Sequence, residues 1–519
     1  MDIVAFQTFP EMMFEQARKQ ADRPFLYYND IVFSYKKTYE IGIRLAAALQ
    51  DLGLKKGEHV VICLPDTPEI ILSFTGVGLA GGIFIPAEPS MKKKELLYQL
   101  EDSNAKFLIT DKEHYELLGD SIDTLPNLSV RIQVGEGFYS NVHSWNKLAY
   151  GSEASYHDPE VSPDDLLMII YTSGTTGYPK GAMIQQKRFL RNVYRVANQP
   201  YNLTRDDVIV NMLPFSHIFA LYVDWMPALM AGASFVLHRQ FNPRTVIADI
   251  KRHGGTVMAG VPTMYMLILD LLKYESIDIS SLRVALVAAA SIKREVQEEF
   301  EVVAGTTFVQ AYGQTESGPL VLVEPFERPE GIHPGTCGKK IHDDFEIRLI
   351  DEHGLDVGEG EVGEIFFNSP DIMLGYWNKP EETEKAIENG WLHTGDLAYR
   401  DKDGYYYLVE RQEYKFITLG NNVYPAEVEA VIKNYDGVRD VALFGVPDKL
   451  RGEVGIAYVL PQAETELDSR ELLRYCRENL TDYKIPAKLY IVEQLPYTHT
   501  GKVRKMELRK EYLCENTLA

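Results

Sequence analysis

Tyr171-Thr172-Ser173-Gly174-Thr175-Thr176-Gly177-Tyr178-Pro179-Lys180-Gly181 follows directly on the apolar run 166–170. A buried strand that opens into such a turn decides the fold class. Gly174 and Gly177 let successive backbone N–H groups turn toward one point, four Thr/Ser hydroxyls add donors, and Lys180 adds a point charge. A strand-to-loop turn of this composition can cradle phosphate oxygens. It is not the GxxxxGK[ST] loop, because no Ser or Thr follows the lysine. The alternative is a flexible Ser/Thr/Gly linker, which would not need the strand before it.

Working outward, similar apolar runs recur at 60–64, 83–85, 107–109, 208–212, 235–237, 257–259, 284–287 and 308–309. Helical stretches separate many of them. Ser34, for example, can cap a helix whose apolar Ile41, Leu45, Ala48 and Leu49 recur at helical spacing, with Gly53 ending it. The alternation predicts α/β architecture, with mostly parallel sheets covered by helices. From about residue 331 the texture changes to short strands at 345–350, 363–367 and 405–409, joined by Gly and Asp turns. That predicts a β-rich subdomain over about 331–411. The last hundred or so residues mix helices at 425–433 and 469–479 with strands at 441–444, 456–460 and 489–492. The expected organisation is a large N-terminal domain, 1–411, and a small α+β C-terminal domain, 412–519, with the boundary at 410–413.

The bulk numbers agree with this layout. A chain of 519 residues exceeds one ordinary core and suggests roughly two to four domains. The formal net charge of −22 argues against general binding to nucleic acid or anionic membrane. An anionic nucleotide must therefore be held by local donors. Cys63, Cys337, Cys476 and Cys514 form no CxxC pair, so neither a zinc site nor a disulfide framework is indicated. Reduced, buried thiols in a cytoplasmic protein are expected. The N-terminal stretch lacks a signal-peptide core, and no run of about 18 apolar residues is present, so no membrane span is expected.

Four further elements follow in order: Leu213-Pro214-Phe215-Ser216-His217, Ala311-Tyr312-Gly313-Gln314-Thr315-Glu316-Ser317, Trp391-Leu392-His393-Thr394-Gly395-Asp396, and Pro496-Tyr497-Thr498-His499-Thr500-Gly501-Lys502. Alone, each has a plain explanation: a core histidine, a surface turn, a β-turn aspartate, a solvated lysine in a basic tail. Jointly, with the turn at 171–181, they resemble the adenylate-forming superfamily of acyl-CoA synthetases, amino-acid adenylation domains and luciferases. The resemblance spans residues from about 30 to 510. It is nearest to fatty-acyl-CoA ligases, mildly through the Tyr-Gly-Gln-Thr-Glu wording.

The resemblance implies two steps: carboxylate and Mg-ATP give acyl-AMP and pyrophosphate, then a thiol displaces AMP. It also assigns roles. Thr172, Ser173, Gly174, Thr175, Thr176, Gly177 and Lys180 would hold phosphates. Ala289, Tyr312, Gly313 and Gln314 would flank adenine, with Tyr312 offering a face for stacking. Thr315 would donate to the α-phosphate. Glu316, with Thr176, would serve magnesium. Asp396 would accept from the ribose hydroxyls, and Arg411 would contact ribose and phosphate. Lys502 would bridge carboxylate and phosphate, offsetting the repulsion of two anions in the transition state. His217 is the candidate gate beside the substrate carboxylate. Glu413 falls at the hinge of a rotating C-terminal domain, and Gly420 would line the thiol channel. The GEIFF stretch at 363–367 and Gly375-Tyr376-Trp377 fit the family as structural parts.

Two positions depart from the pattern. Glu413-Tyr414 stands where relatives more often have Asp or Lys and then Asp. Ala288-Ala289-Ala290 stands where many have Gly-Gly-Ala, and the extra methyl groups would narrow the site. Amino-acid-activating relatives place an Asp where this chain has Phe219, within apolar Ile218-Phe219-Ala220-Leu221-Tyr222-Val223. That favours a fatty or aryl acid. Gly445-Val446-Pro447-Asp448 and Arg451-Gly452-Glu453 resemble coenzyme A ligases. Coenzyme A is the expected acceptor, ahead of a separate acyl carrier protein, since no carrier domain follows Lys502 before Ala519. A catalytically silent scaffold on the same fold is the alternative from another class. Retention of Lys180, Glu316, Asp396 and Lys502 argues against it.

Overall fold

A computed structural model of the chain describes residues 6–516 except 138, 173–177, 276, 290, 291, 293, 328–332, 334, 352, 412–415, 424, 464, 497–502 and 504. Two compact units emerge. One comprises Met1–Pro89, Gln99–Tyr171 and Gly181–Glu410; the other comprises Ser90–Tyr98, Thr172–Lys180 and Arg411–Ala519.

Two large sheets build the first unit. In the seven-stranded sheet, His59–Cys63 lies between Ile83–Pro86 and Phe107–Asp111, all parallel. Leu166–Thr172 and Lys180–Gln185 finish one edge. In the nine-stranded sheet, Ser234–Val236, Val208–Asn211, Val257–Gly260, Val284–Val287 and Thr307–Gln314 run parallel side by side. His59–Cys63, Ile83–Pro86 and Val284–Val287 are buried along their whole length, as continuous apolar runs require when helices cover both faces. Ser34 caps the helix Tyr35–Asp51 by accepting from the Lys37 N–H at 3.1 Å, and Gly53 follows at φ +93°.

Beyond the parallel sheets, Glu346–Ile350, Gly363–Asn368 and Trp391–Arg400 pair antiparallel in a five-stranded sheet. This is the β-rich texture expected from about residue 331.

The second unit has its own sheet, in which Val438–Asp448 and Gly452–Pro461 pair along ten residues and Lys488–Ile491 joins parallel. Helices Pro425–Lys433, Ser469–Asn479 and Lys505–Asn516 accompany it. Within this unit Lys484 Nζ reaches Glu427 Oε1 at 2.6 Å and Glu95 Oε1 at 3.2 Å, and Lys484 is only 6% exposed. Burial favours neutral lysine, but Tyr483 and the two carboxylates outweigh it and hold the ammonium charged. Breaking such a pair strands a buried charge. Lys484→Ala is expected to lower unfolding stability by about 3–5 kcal/mol, to be measured by urea denaturation. An unchanged midpoint would remove the pair from the account of this unit's stability.

Candidate active site

The strand Thr307–Gln314 carries Tyr312 and Gln314 just past its parallel pairing, where it pairs antiparallel with Gly318–Val323. A 3₁₀ turn, Thr315–Ser317, reverses the chain, and Gly318 leaves it at φ +82°. A Cβ on Gly318 would come within 2.5 Å of Asn192 Nδ2, so close approach as well as backbone sign demands glycine there.

Asp396 arrives on a different sheet. Between the registers Glu364↔Leu397 and Phe366↔His393, three residues on one strand oppose one on the other. This bulge holds Thr394-Gly395-Asp396, with Gly395 at φ +69°. Thr394 Oγ1 donates to the Ile365 carbonyl at 2.7 Å and accepts from the Asp396 N–H at 3.2 Å. The distortion aims Asp396 at Tyr312, whose hydroxyl donates to Asp396 Oδ2 at 2.7 Å. Gln314 Nε2 donates to the Thr394 carbonyl at 3.2 Å and also approaches Asp396 Oδ2 at 3.4 Å. Tyr312 and Asp396 are 8% and 6% exposed. Tyr312, Gln314 and Asp396 therefore form one hydrogen-bonded group, with Gly313, Thr315 and Glu316 adjacent along the chain.

Glu316 has a partner that the sequence did not assign. Tyr376 donates its hydroxyl to Glu316 Oε1 at 3.0 Å, and the Glu316 carbonyl accepts from the Met373 N–H at 2.9 Å. Gly375, at φ +141°, brings Tyr376 in against Thr383, where a Cβ would clash at 2.5 Å. Gly375-Tyr376 was legible only as a structural element; its aromatic hydroxyl was the available signal.

His217 is exposed, so it is not the packed core histidine that its sequence context also allowed. Its Nδ1 accepts from the Phe219 N–H at 3.2 Å, which puts the proton of a neutral ring on Nε2. Residues 218–223 are buried, and Leu221–Trp225 forms a π-helical turn. That turn carries Asp224, fully buried beside Asn211 Nδ2 at 3.0 Å and pushed well above the usual carboxylate range by burial. This acid lies just past the apolar stretch and was missed.

Ala289 follows the strand Val284–Val287 at φ +68°, in the left-handed region. The frequent glycine at this position in relatives thus has a backbone reason. Thr172, Lys180, Arg411 and Gly420 belong to the second unit. Thr172 ends one strand and Lys180, largely buried, opens the next. Arg411 ends the strand Tyr406–Arg411. Gly420, at φ +79°, and Leu419, at φ +51°, form the two-residue tip between Phe416–Thr418 and Asn421–Val423. Ser173, Gly174, Thr175, Thr176, Gly177, Ala290, Glu413, Tyr414 and Lys502 lie outside the described residues.

Magnesium is tested here on donor chemistry. Glu316 supplies one hard anionic oxygen, and among the described residues no group of three or more His, Cys, Asp or Glu could hold an ion. The Glu316 oxygen suits magnesium, which is commonly bound by one or two carboxylates together with substrate phosphates and water.

A strand-end tyrosine bonded to a bulge aspartate, beside a glutamate suited to nucleotide-borne magnesium, is the arrangement expected of an adenylate-forming enzyme. The AMP-binding enzyme model matches residues 13–377, and the AMP-binding enzyme C-terminal domain model matches residues 427–502. The chain belongs to the AMP-binding enzyme family. It is 31% identical to a long-chain-fatty-acid–CoA ligase of Salmonella typhimurium, over 98% of this chain and 95% of that protein. It is 34% identical to a feruloyl-CoA synthase of an Amycolatopsis species, over 90% and 92% of the two chains. Among solved structures, a double mutant of o-succinylbenzoate CoA synthetase from Bacillus subtilis, bound with the product analogue OSB-NCoA, matches with a TM-score of 0.83. Its identity is 27%, covering 96% of this chain and 98% of that one. Among the described residues no helix is long and apolar enough to cross a membrane.

A left-handed alanine costs about 1–2 kcal/mol against a right-handed one. Ala289→Gly should therefore raise unfolding stability by about 0.5–1 kcal/mol after glycine's own entropy loss. Chemical denaturation would show it; a lower midpoint would mean that the alanine methyl makes compensating contacts.

Proposed function

We propose that this chain activates a fatty acid and transfers it to coenzyme A. The reaction class is that of an AMP-forming acid–thiol ligase, using Mg-ATP, a carboxylic acid and coenzyme A. The observation that carries the site assignment is the Tyr312–Asp396 hydrogen bond, which joins the candidate adenine and ribose residues. A carboxylate oxygen attacks the α-phosphorus, the bond to pyrophosphate breaks, and acyl-AMP forms. A thiol sulfur then attacks the acyl carbon, its proton is lost, and AMP departs.

In this reading Tyr312 faces adenine, and Asp396 takes the ribose hydroxyls with Arg411. Residues 172–177, with Lys180, hold the phosphates. Thr315 donates to the α-phosphate. Magnesium, held by Glu316 and assisted by Thr176, would neutralise phosphate charge. Lys502 offsets the repulsion between carboxylate and phosphate. Residues 412–519 move about Glu413 between steps, and Gly420 then lines the thiol path.

Fatty acid as substrate is supported by the buried apolar stretch 218–223, with Phe219 where an ammonium-binding acid would stand, and by the long-chain relative. The second reading, an aryl acid, is supported by the feruloyl-CoA synthase relative at 34% identity. Coenzyme A is preferred to a carrier protein because the named relatives are CoA enzymes. Dependence on ATP and coenzyme A favours the cytoplasm.

With ATP, magnesium, coenzyme A and a mixed acid panel, mass spectrometry is expected to find fatty-acyl thioesters. Predominantly aryl thioesters would favour the second reading, and thioesters only on added carrier protein would replace the acceptor. Lys502→Ala is expected to lower acyl-adenylate formation by about 10²-fold or more, as loss of an electrostatic donor does. It should spare thioester formation from supplied acyl-AMP; equal loss of both steps would overturn the lysine's role. Glu316→Gln is expected to raise the magnesium concentration needed for half-maximal rate. Unchanged magnesium dependence would remove it from the site.

A further inference from the structure

His217 sits on a short strap, and two acids from another sheet hold the residues just before it. The strands His59–Cys63, Ile83–Pro86 and Phe107–Asp111 are parallel neighbours, so their carboxyl ends share one edge of the seven-stranded sheet. Asp66 follows the first of these strands, Glu88 the second, and Asp111 ends the third. Such edges are where open α/β sheets collect ligand-facing residues. The strap Pro214–His217 leaves the strand Val208–Asn211 of the nine-stranded sheet. Asp66 Oδ1 accepts from the Phe215 N–H at 3.1 Å, and Ser216 donates its hydroxyl to Glu88 Oε2. The His217 N–H returns to the Pro214 carbonyl at 3.1 Å. Two consecutive residues are thus tied by carboxylates immediately before the imidazole.

The turn beside Glu88 is itself held. His114 bonds Asp111 through Nδ1 at 2.7 Å and the Pro89 carbonyl through Nε2. With acceptors at both nitrogens, the ring is an imidazolium. Burial alone would lower its pKa, but the bonds to Asp111 and Cys63 push it up to about 11. It anchors the turn carrying Glu88. Burial, with the Glu88 charge added, raises Asp66 well above the usual carboxylate range despite the Phe215 N–H. Cys63, beside Glu88, and Arg239, beside Asp111, also face this group.

We propose that Asp66 and Glu88 are positioning residues that fix the Pro214–His217 strap, so that the His217 ring stands at a set place beside the acid being activated. The proposal rests on the reading in which His217 stands beside the substrate carboxylate. A displacement of about 1 Å in such a group can cost on the order of 10²-fold in rate.

The test combines amide hydrogen exchange with a double-mutant cycle. Glu88→Leu, Asp66→Leu and Ser216→Ala each remove one tie, while Glu88→Gln and Asp66→Asn keep an acceptor. Exchange across 215–219 is expected to quicken about tenfold in the first three variants and to stay near the parent rate in the last two, with the rest of the chain unchanged. In acid-dependent pyrophosphate exchange, Ser216→Ala and Glu88→Leu are expected to lower kcat about tenfold at unchanged KM for ATP, and Glu88→Gln to restore most of it. In a His217→Ala background, Ser216→Ala is expected to cause no further loss, as residues acting as one unit do. Ser216→Ala keeps the cycle decisive if the leucine variants do not fold. Unchanged strap exchange, or equal losses with and without His217, would overturn the proposal. If no acid supports pyrophosphate exchange in the parent protein, the acid-activation reading fails, and the amide exchange rates still decide whether the acids fix the strap.

Discussion

A single hydrogen bond, from the Tyr312 hydroxyl to Asp396 Oδ2 at 2.7 Å, ties together two sheets that would otherwise contribute separately to the site. One partner ends a buried parallel strand, and the other sits in a bulge of an antiparallel sheet 84 residues later. The bond sets where an aromatic face and a carboxylate stand relative to each other. Adenine and ribose are joined by one rotatable bond that keeps them close, so in the proposed reading a protein that recognises both gains from holding the two groups at a matching separation before binding. Gln314 reinforces it by donating to the Thr394 carbonyl of the same bulge. The energetic gain from one such bond is about 1 kcal/mol. Its larger effect is preorganisation, because the side chains do not have to be ordered when nucleotide arrives.

The chain's net charge of −22 makes that preorganisation more demanding. A nucleotide triphosphate approaches against the overall field, so affinity must come from short-range donors and a metal rather than from steering. The described part of the site fits this. Its carboxylates, Glu316 and Asp396, are largely buried and each accepts a tyrosine hydroxyl. A phenol donor withdraws part of a carboxylate's charge without adding a competing cation. At the C-terminal edge of the seven-stranded sheet Glu88 follows the same rule and Asp111 does not. Glu88 takes the Ser216 hydroxyl, and Asp111 is paired to an imidazolium.

Much of the parallel architecture was legible because fully buried strands read as unbroken apolar runs. The runs at 60–64 and 284–287 correspond to His59–Cys63 and Val284–Val287 almost residue for residue. Where polar residues or apparent breakers entered, the sequence underestimated the strand. Val438–Asp448 extends well past 441–444 because Gly445 and Pro447 sit in a ten-residue antiparallel pairing that tolerates them. The first helix, Phe9–Lys19, was overlooked although its signals were present. Thr8 caps the Glu11 N–H, a proline lies in the first turn, and Phe9, Met12, Met13 and Ala17 are buried on one face. Site residues were legible as types in an order, but their partners were not. Nothing local to Glu316 points to Tyr376, and nothing local to Ser216 points to Glu88, because those pairings are made by sheet topology.

Glu316 shows how partner and role are connected. A resident metal site would gather several carboxylates around an ion, and their mutual repulsion would have to be offset in the empty state. Among the described residues no such cluster occurs. Glu316 instead shares one oxygen with the Tyr376 hydroxyl, is 8% exposed, and is locked through its own carbonyl to the Met373 N–H. A hydrogen-bonded carboxylate is stable without an ion and could complete the coordination of one that arrives on phosphates. In the role proposed for Glu316, that arrangement would couple metal to nucleotide. In the proposed reading an ion carried by a triphosphate would gain this ligand only when the nucleotide is seated, and the charge-neutralising group would be assembled by substrate binding itself.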